Sequence, residues 1–232
     1  MAYTLHKGST NITRAYKGST NITRAYKGSS MVWSVYTDGQ VMFEKATAGT
    51  YSFTPPVTGT YEISIVGGGG GGACAGDQSK YAYKSRGAGG GSGAYVCGVW
   101  KLTAGTSYSI VVGAGGAASP TNTNNGYGSA GGASSFASYI TCGAGGGGTA
   151  IWKGAGTGGA AGTVSVCTGY TRIITNTAGN AGAGGGNYTK YAGGAARLGS
   201  YGAGGSGQAT GNYAGVTYPG NPGYARVRFV FG

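Results

Sequence analysis

Residues 50–72 read TYSFTPPVTGTYEISIVGGGGGG, a strand pattern that runs straight into six glycines. From Tyr61 to Val66 apolar side chains alternate with Glu62 and Ser64, the period-2 signature of a half-buried strand. The same pairing of a short β word with a glycine run recurs along the chain. Strand-like words fall at 91–100 (GSGAYVCGVW), 106–113 (TSYSIVVG), 134–142 (SSFASYITC), 162–167 (GTVSVC) and 224–231 (YARVRFVF). Glycine runs fall at 67–72, 87–93, 113–116, 143–148, 154–162, 179–186 and 202–207, and all but six of the 55 glycines lie at or beyond Gly67. Mobile linkers at that frequency would leave no room for a core.

A different backbone form suits such runs. An extended threefold helix of the polyproline II type has no internal hydrogen bonds, so its N–H and C=O groups point outward and neighbouring copies can bond laterally. Only glycine lets backbones approach closely enough for this. Collagen is excluded, because the chain lacks a strict Gly-X-Y period and has only 5 Pro. A glycine bundle gains about 0.5–1.5 kcal/mol per backbone bond against a large entropy loss on ordering glycine. It therefore needs a supporting body. Six or so short strands with turns between them supply one, an antiparallel sandwich or jelly-roll-like unit. The fold class expected is all-β, with polyglycine II-type segments interposed in residues 50–232. Three Leu in 232 residues argue against helix.

Upstream, residues 5–33 repeat with a period of ten: LHKGSTNIT, RAYKGSTNIT and RAYKGSSMVW. Each unit reads as a strand, NITRAY, followed by a KGST turn in which Gly8, Gly18 or Gly28 can supply positive φ. Neither face is apolar enough to fold alone. Residues 1–33 are thus expected to be a short β-repeat stalk that docks or trimerises. Arg14, Tyr16, Lys17, Arg24, Tyr26 and Lys27 are its candidate anchoring residues. Thr37-Asp38-Gly39-Gln40 between alternating runs predicts a connecting hairpin over 34–49.

Charge and chemistry narrow the function. The formal net charge is +12 and the pI about 9.6, yet the bases are dispersed and residues 102–152 carry no charge. No dense Lys/Arg cluster points to a specific nucleic acid. No apolar run reaches membrane-spanning length and the N-terminus lacks an apolar signal-peptide core, so neither membrane insertion nor classical secretion is expected. The four cysteines, Cys74, Cys97, Cys142 and Cys167, allow two disulfides or none, and none has zinc or redox spacing. Paired-carboxylate hydrolysis has only Asp38, Glu44, Glu62 and Asp77 to draw on, and His6 is the one histidine. No phosphate loop is present. The expectation is a non-enzyme with no cofactor and no metal.

The words TYSFTPPVTGTYEISIVGGGGGGA, GAYVCGVWKLTAGTSYSIVVGAGG, GGASSFASYITCGAGGGG and PGNPGYARVRFVFG, in this order, resemble the glycine-rich domain of bacteriophage tail-fibre and other virion surface proteins. The resemblance covers about residues 49–232. More distantly the architecture is similar to tail-tip adhesins of T-even-like phages, in which a polyglycine sandwich carries variable segments that touch the host receptor. The resemblance implies a virion surface location, assembly as a homo-oligomer such as a trimer, attachment to other virion proteins through the N-terminal region, and a host glycan or outer-membrane protein as partner. It makes the segments between glycine runs candidate receptor-binding loops. Their candidate residues are Tyr81, Tyr83, Lys84, Tyr127, Tyr188, Lys190, Tyr191, Arg197, Tyr201 and Tyr213. Tyrosine amid Ser, Gly and Asn gives stiff amphipathic contact area at low ordering entropy. Two other readings are a structural head or neck fibre with no receptor, and a secreted matrix or ice-binding polyglycine bundle.

Overall fold

The strand that opens the glycine stretch, Gly59–Val66, sits at the centre of a five-stranded antiparallel sheet in the order Arg172–Thr177, Tyr95–Leu102, Gly59–Val66, Tyr224–Val230, Val41–Lys45. This computed structural model describes residues 6–231 except 8–9, 12–14, 18–19, 23, 28–29, 76–85, 121–124, 152–155, 185–189, 192 and 209–216. A second antiparallel sheet has the order Val164–Cys167, Ile140–Cys142, Ser134–Phe136, Tyr108–Val112, Gly49–Phe53. The two pack as a sandwich, and among the described residues no helix forms. Period-2 alternation places Tyr61, Ile63, Ile65, Trp100, Val227 and Phe229 on the inner face of the first sheet, against Phe53, Tyr108, Ile110 and Phe136 of the second. The polar tips of two buried aromatics are satisfied: Trp100 Nε1 donates to the Thr168 carbonyl at 2.8 Å and Tyr61 Oη to the Val57 carbonyl at 2.7 Å.

Two local expectations need correction. The segment around Asp38-Gly39 does turn, with Gly39 at φ 78° and Gln40 N donating to Thr37 O at 3.1 Å. No hairpin forms there, because Ser30–Ser34 pairs back with Arg24–Lys27 while Val41–Lys45 pairs with the C-terminal strand. Residues 134–142 form two short strands around a turn, with Ala137 at φ 44°. In the repeat region Thr20–Ile22 pairs with Ala15–Lys17, and Arg24–Lys27 with Ser30–Ser34. The ten-residue period survives in the register, as Lys7↔Thr10, Lys17↔Thr20 and Lys27↔Ser30.

The glycine runs leave the sandwich as extended segments with a three-residue repeat of hydrogen bonds. In 67–72, Gly67 and Gly70 donate to Ala94 and Gly91, Gly68 and Gly71 to Gly132 and Ser129, and Gly69 and Gly72 to Asn221 and Tyr218. Its carbonyls accept from three further neighbours, through Gly145 and Gly148, Gly116 and Ser119, and Gly205. Segment 67–72 thus has six lateral partners, the threefold geometry of polyglycine II. Segment 89–94 is enclosed the same way, by 67–72, 143–148, 158–163, 178–184, 193–196 and 202–206. The remaining segments, 113–119, 128–133 and 218–223, complete a ring of eight around this central pair. The bonding fixes three layers of three, four and three segments: 128–133, 143–148 and 158–163; then 113–119, 67–72, 89–94 and 178–184; then 218–223, 202–206 and 193–196.

Sterics explain why the centre is glycine. A Cβ on Gly70 would lie 2.0 Å from Gly146 O, and one on Gly71 would lie 1.9 Å from Ala117 O. In the flanking segments the inward positions recur every third residue as glycine, for example Gly113 and Gly116, Gly145 and Gly148, Gly159 and Gly162, Gly220 and Gly223. Outward positions carry alanine, as at Ala114 and Ala117, which are exposed.

Candidate binding surface at the distal end

Eight of the ten segments run into a sandwich strand at one end, and the other two, 193–196 and 202–206, join there through the turn at 197–201, so the chain must reverse at the far end. It does so five times, through 73–88, 120–127, 149–157, 185–192 and 207–217, each joining two laterally adjacent segments. Three two-stranded ribbons tie this distal end together. Ala73–Ala75 pairs with Arg86–Ala88 at the centre, Asn125–Tyr127 with Thr149–Ile151 on one side, and Lys190–Tyr191 with Gly207–Gln208 on the other. Glycine again permits the contact: a Cβ on Gly126 would lie 2.1 Å from Cys74 O, and one on Gly207 2.1 Å from Ala73 O. Ala73, Ala75 and Ala150 form a small core beneath.

Pairing decides what this end presents. Asn125 opposes Ile151 and Tyr127 opposes Thr149, so all four lie on one face of their ribbon while Gly126 and Ala150 are buried. Tyr127 and Ile151 are 58% and 45% exposed, and Tyr218, at the start of the last segment, is 48% exposed. Three other large apolar side chains among the described residues, Val41, Tyr170 and Ile174, are exposed on the sandwich. Lys190 and Tyr191 lie on the third ribbon, paired with Gly207–Gln208. Tyr81, Tyr83, Lys84, Tyr188 and Tyr213 fall outside the described residues.

Arg197 and Tyr201 do not belong to this surface. They occupy a turn at the sandwich end, where Arg197 Nε donates to Ala178 O at 2.9 Å and Nη2 to Gly179 O at 3.3 Å. Tyr201 stacks on Tyr224 with centroids 4.2 Å apart and an interplanar angle of 14°. Grouping 187–201 as one loop fails because a glycine segment, 193–196, crosses the length of the bundle between Tyr191 and Arg197. Ile151 was missed at the sequence level, since a single apolar residue among Thr, Ala and Trp carries no exposed-surface signal. Of the candidate anchoring residues, Tyr16, Lys17, Arg24, Tyr26 and Lys27 lie on the N-terminal ribbons, and Arg14 lies outside the described residues.

The reactive groups of the body are engaged in structure. Asp38 Oδ1 accepts from Phe231 N at 2.9 Å, Glu44 accepts from Tyr224 Oη, and Glu62 accepts from Arg228. Cys97, Cys142 and Cys167 are free thiols, and burial pushes Cys142 up to about 12, which keeps it protonated. Burial, followed by the neighbouring Cys97, pushes the Tyr95 phenol up to about 12 as well. Among the described residues no three His, Cys, Asp or Glu side chains gather closely enough to hold a metal ion.

A family model described as a glycine-rich domain matches residues 45–229, most of the chain. The chain belongs to the glycine-rich domain family. The match begins at the last residue of the edge strand Val41–Lys45 and closes in the C-terminal strand, so this family domain takes in the second sheet, the other four strands of the first and the whole glycine bundle. No curated protein matches the chain in sequence.

Proposed function

We propose that this glycine-rich domain protein is a bacteriophage virion surface protein that attaches the particle to its host. In this reading the distal end contacts a host surface glycan or outer-membrane protein, and residues 1–33 anchor the chain to other virion proteins and trimerise it. The observation that carries the proposal is that all five reversals of a rigid glycine bundle fall at one pole. Within the bundle a side chain would strike a neighbouring backbone, so sequence variety has room only at its surface and in the reversals. A scaffold that fixes its interior and frees one end suits recognition. Tyr127, Ile151 and Tyr218 give that end stiff, amphipathic contact area. Engagement of Asp38, Glu44 and Glu62 in hydrogen bonds and ion pairs supports binding over hydrolysis.

The test is binding of the labelled full chain to an array of bacterial surface polysaccharides and to outer-membrane vesicles. The expected result is saturable capture that is lost in the Tyr81→Ala/Tyr83→Ala/Tyr127→Ala variant and kept in Arg197→Lys. Capture equal in both variants, or none on any surface, would overturn the attachment reading and leave a structural fibre.

A further inference from the structure

The outer face of the first sheet carries a second feature, independent of the distal pole. Register places Arg172, Val99, Glu62 and Arg228 in one cross-strand row on that face. A groove of about 730 Å³ opens over this row and over Thr60, and is bounded by Asp38 and Phe231. That volume lies within the roughly 300–1,000 Å³ of small-molecule sites. Charges in it are unevenly satisfied. Glu62 Oε1 accepts from Arg228 Nε at 3.0 Å, and Arg226 Nη2 lies 3.9 Å from the same oxygen. One carboxylate thus serves two guanidiniums. Asp38 has its Oδ1 occupied by the Phe231 amide. Arg172, across the groove, has no ion-pair partner among the described residues.

We propose that this groove binds a saccharide bearing a carboxylate, such as a uronic acid. A guanidinium fork matches a carboxylate, and Arg172 supplies the uncompensated one. The hydroxyl of Thr60 and the carboxylate of Asp38 offer partners for ring hydroxyls, while Phe231 and Val230 give an apolar wall for a sugar face.

The test is a titration of the 15N-labelled full chain with D-glucuronate, D-glucose and acetate, read by amide chemical shifts. Glucuronate is expected to shift the amides of Thr60, Glu62, Arg172 and Phe231 saturably, with glucose and acetate each weaker by on the order of tenfold. Arg172→Ala is expected to weaken glucuronate by a similar factor with the remaining spectrum unchanged, and Arg172→Lys by less. Because Arg172 is exposed on an edge strand, its replacement leaves the core intact; Thr60→Val provides a second variant with the same expected loss. No saturable shift, equal binding of glucose or acetate, or unchanged affinity in both variants would overturn the proposal.

Discussion

At the scale of single residues, this protein is governed by which positions tolerate a Cβ. Gly71 does not, since its Cβ would overlap the Ala117 carbonyl at 1.9 Å, and backbone on six sides cannot relax. Gly71→Ala is expected to destabilise by about 3 kcal/mol or more, whereas Ala130→Ser, on an exposed position, stays within about 0.5 kcal/mol; urea unfolding of both variants checks this. Protonation follows the same logic of burial. Cys142 and Tyr95 ionise in the folded state only near pH 12, against 9.0 and 10.0 for the unperturbed groups. A raised folded pKa means that the native state holds its proton longer, so the stabilisation is complete below pH 9 and is lost as pH climbs from 9 towards 12. Urea midpoints between pH 7 and 11 should hold steady and then fall, with Cys142→Val and Tyr95→Phe each flattening the decline.

At the scale of elements, the strands obey alternation and the glycine segments obey a period of three. Adding one glycine within 67–72 rotates everything beyond it by a third of a turn and misaligns its lateral bonds. The cooperative thermal transition seen by circular dichroism should then disappear. Two residues added between Pro120 and Asn125 lengthen a reversal instead and should lower Tm by only a few degrees, because loop closure depends weakly on length. Alternation made the strands at 59–66, 95–102, 108–112 and 224–230 readable from sequence. Arg172–Thr177 escaped because Ile173 and Ile174 are adjacent, and a bulge opposite Cys97 and Gly98 breaks the period at that point. The period of three was present in the chain as Gly220 and Gly223 beside Pro219 and Pro222, but it changes phase from one run to the next.

At the scale of the whole molecule, sandwich and bundle support each other. The sandwich buries Trp100, Tyr61 and Phe229 completely, and it holds the ends of segments that could not assemble from glycine alone. Trp100→Ala is expected to cost about 3–5 kcal/mol and to unfold the bundle with the sandwich in a single transition, which calorimetry would show. The N-terminal ribbons bear on assembly. In the proposed trimer, removal of residues 1–33 leaves a folded body, with Tyr36 still packed on Phe229 at 5.5 Å, and converts the trimer to a monomer by light scattering. A monomer before and after truncation would remove self-assembly from the proposed function and leave those ribbons as a docking arm.

The sequence by itself determined the class of structure: alternating β words, too few leucines for helix, and glycine runs usable only where backbones touch backbones. Tertiary structure alone decided which residues share a pole. Tyr191 and Arg197 are six positions apart yet lie at opposite ends, since an extended segment between them crosses the bundle. Conversely Arg172, Glu62 and Arg228 meet in one row because antiparallel register, set by pairing across four strands, brings together residues far apart in the chain. Local chemistry fixes what each segment can be, and lateral hydrogen bonding fixes where it goes.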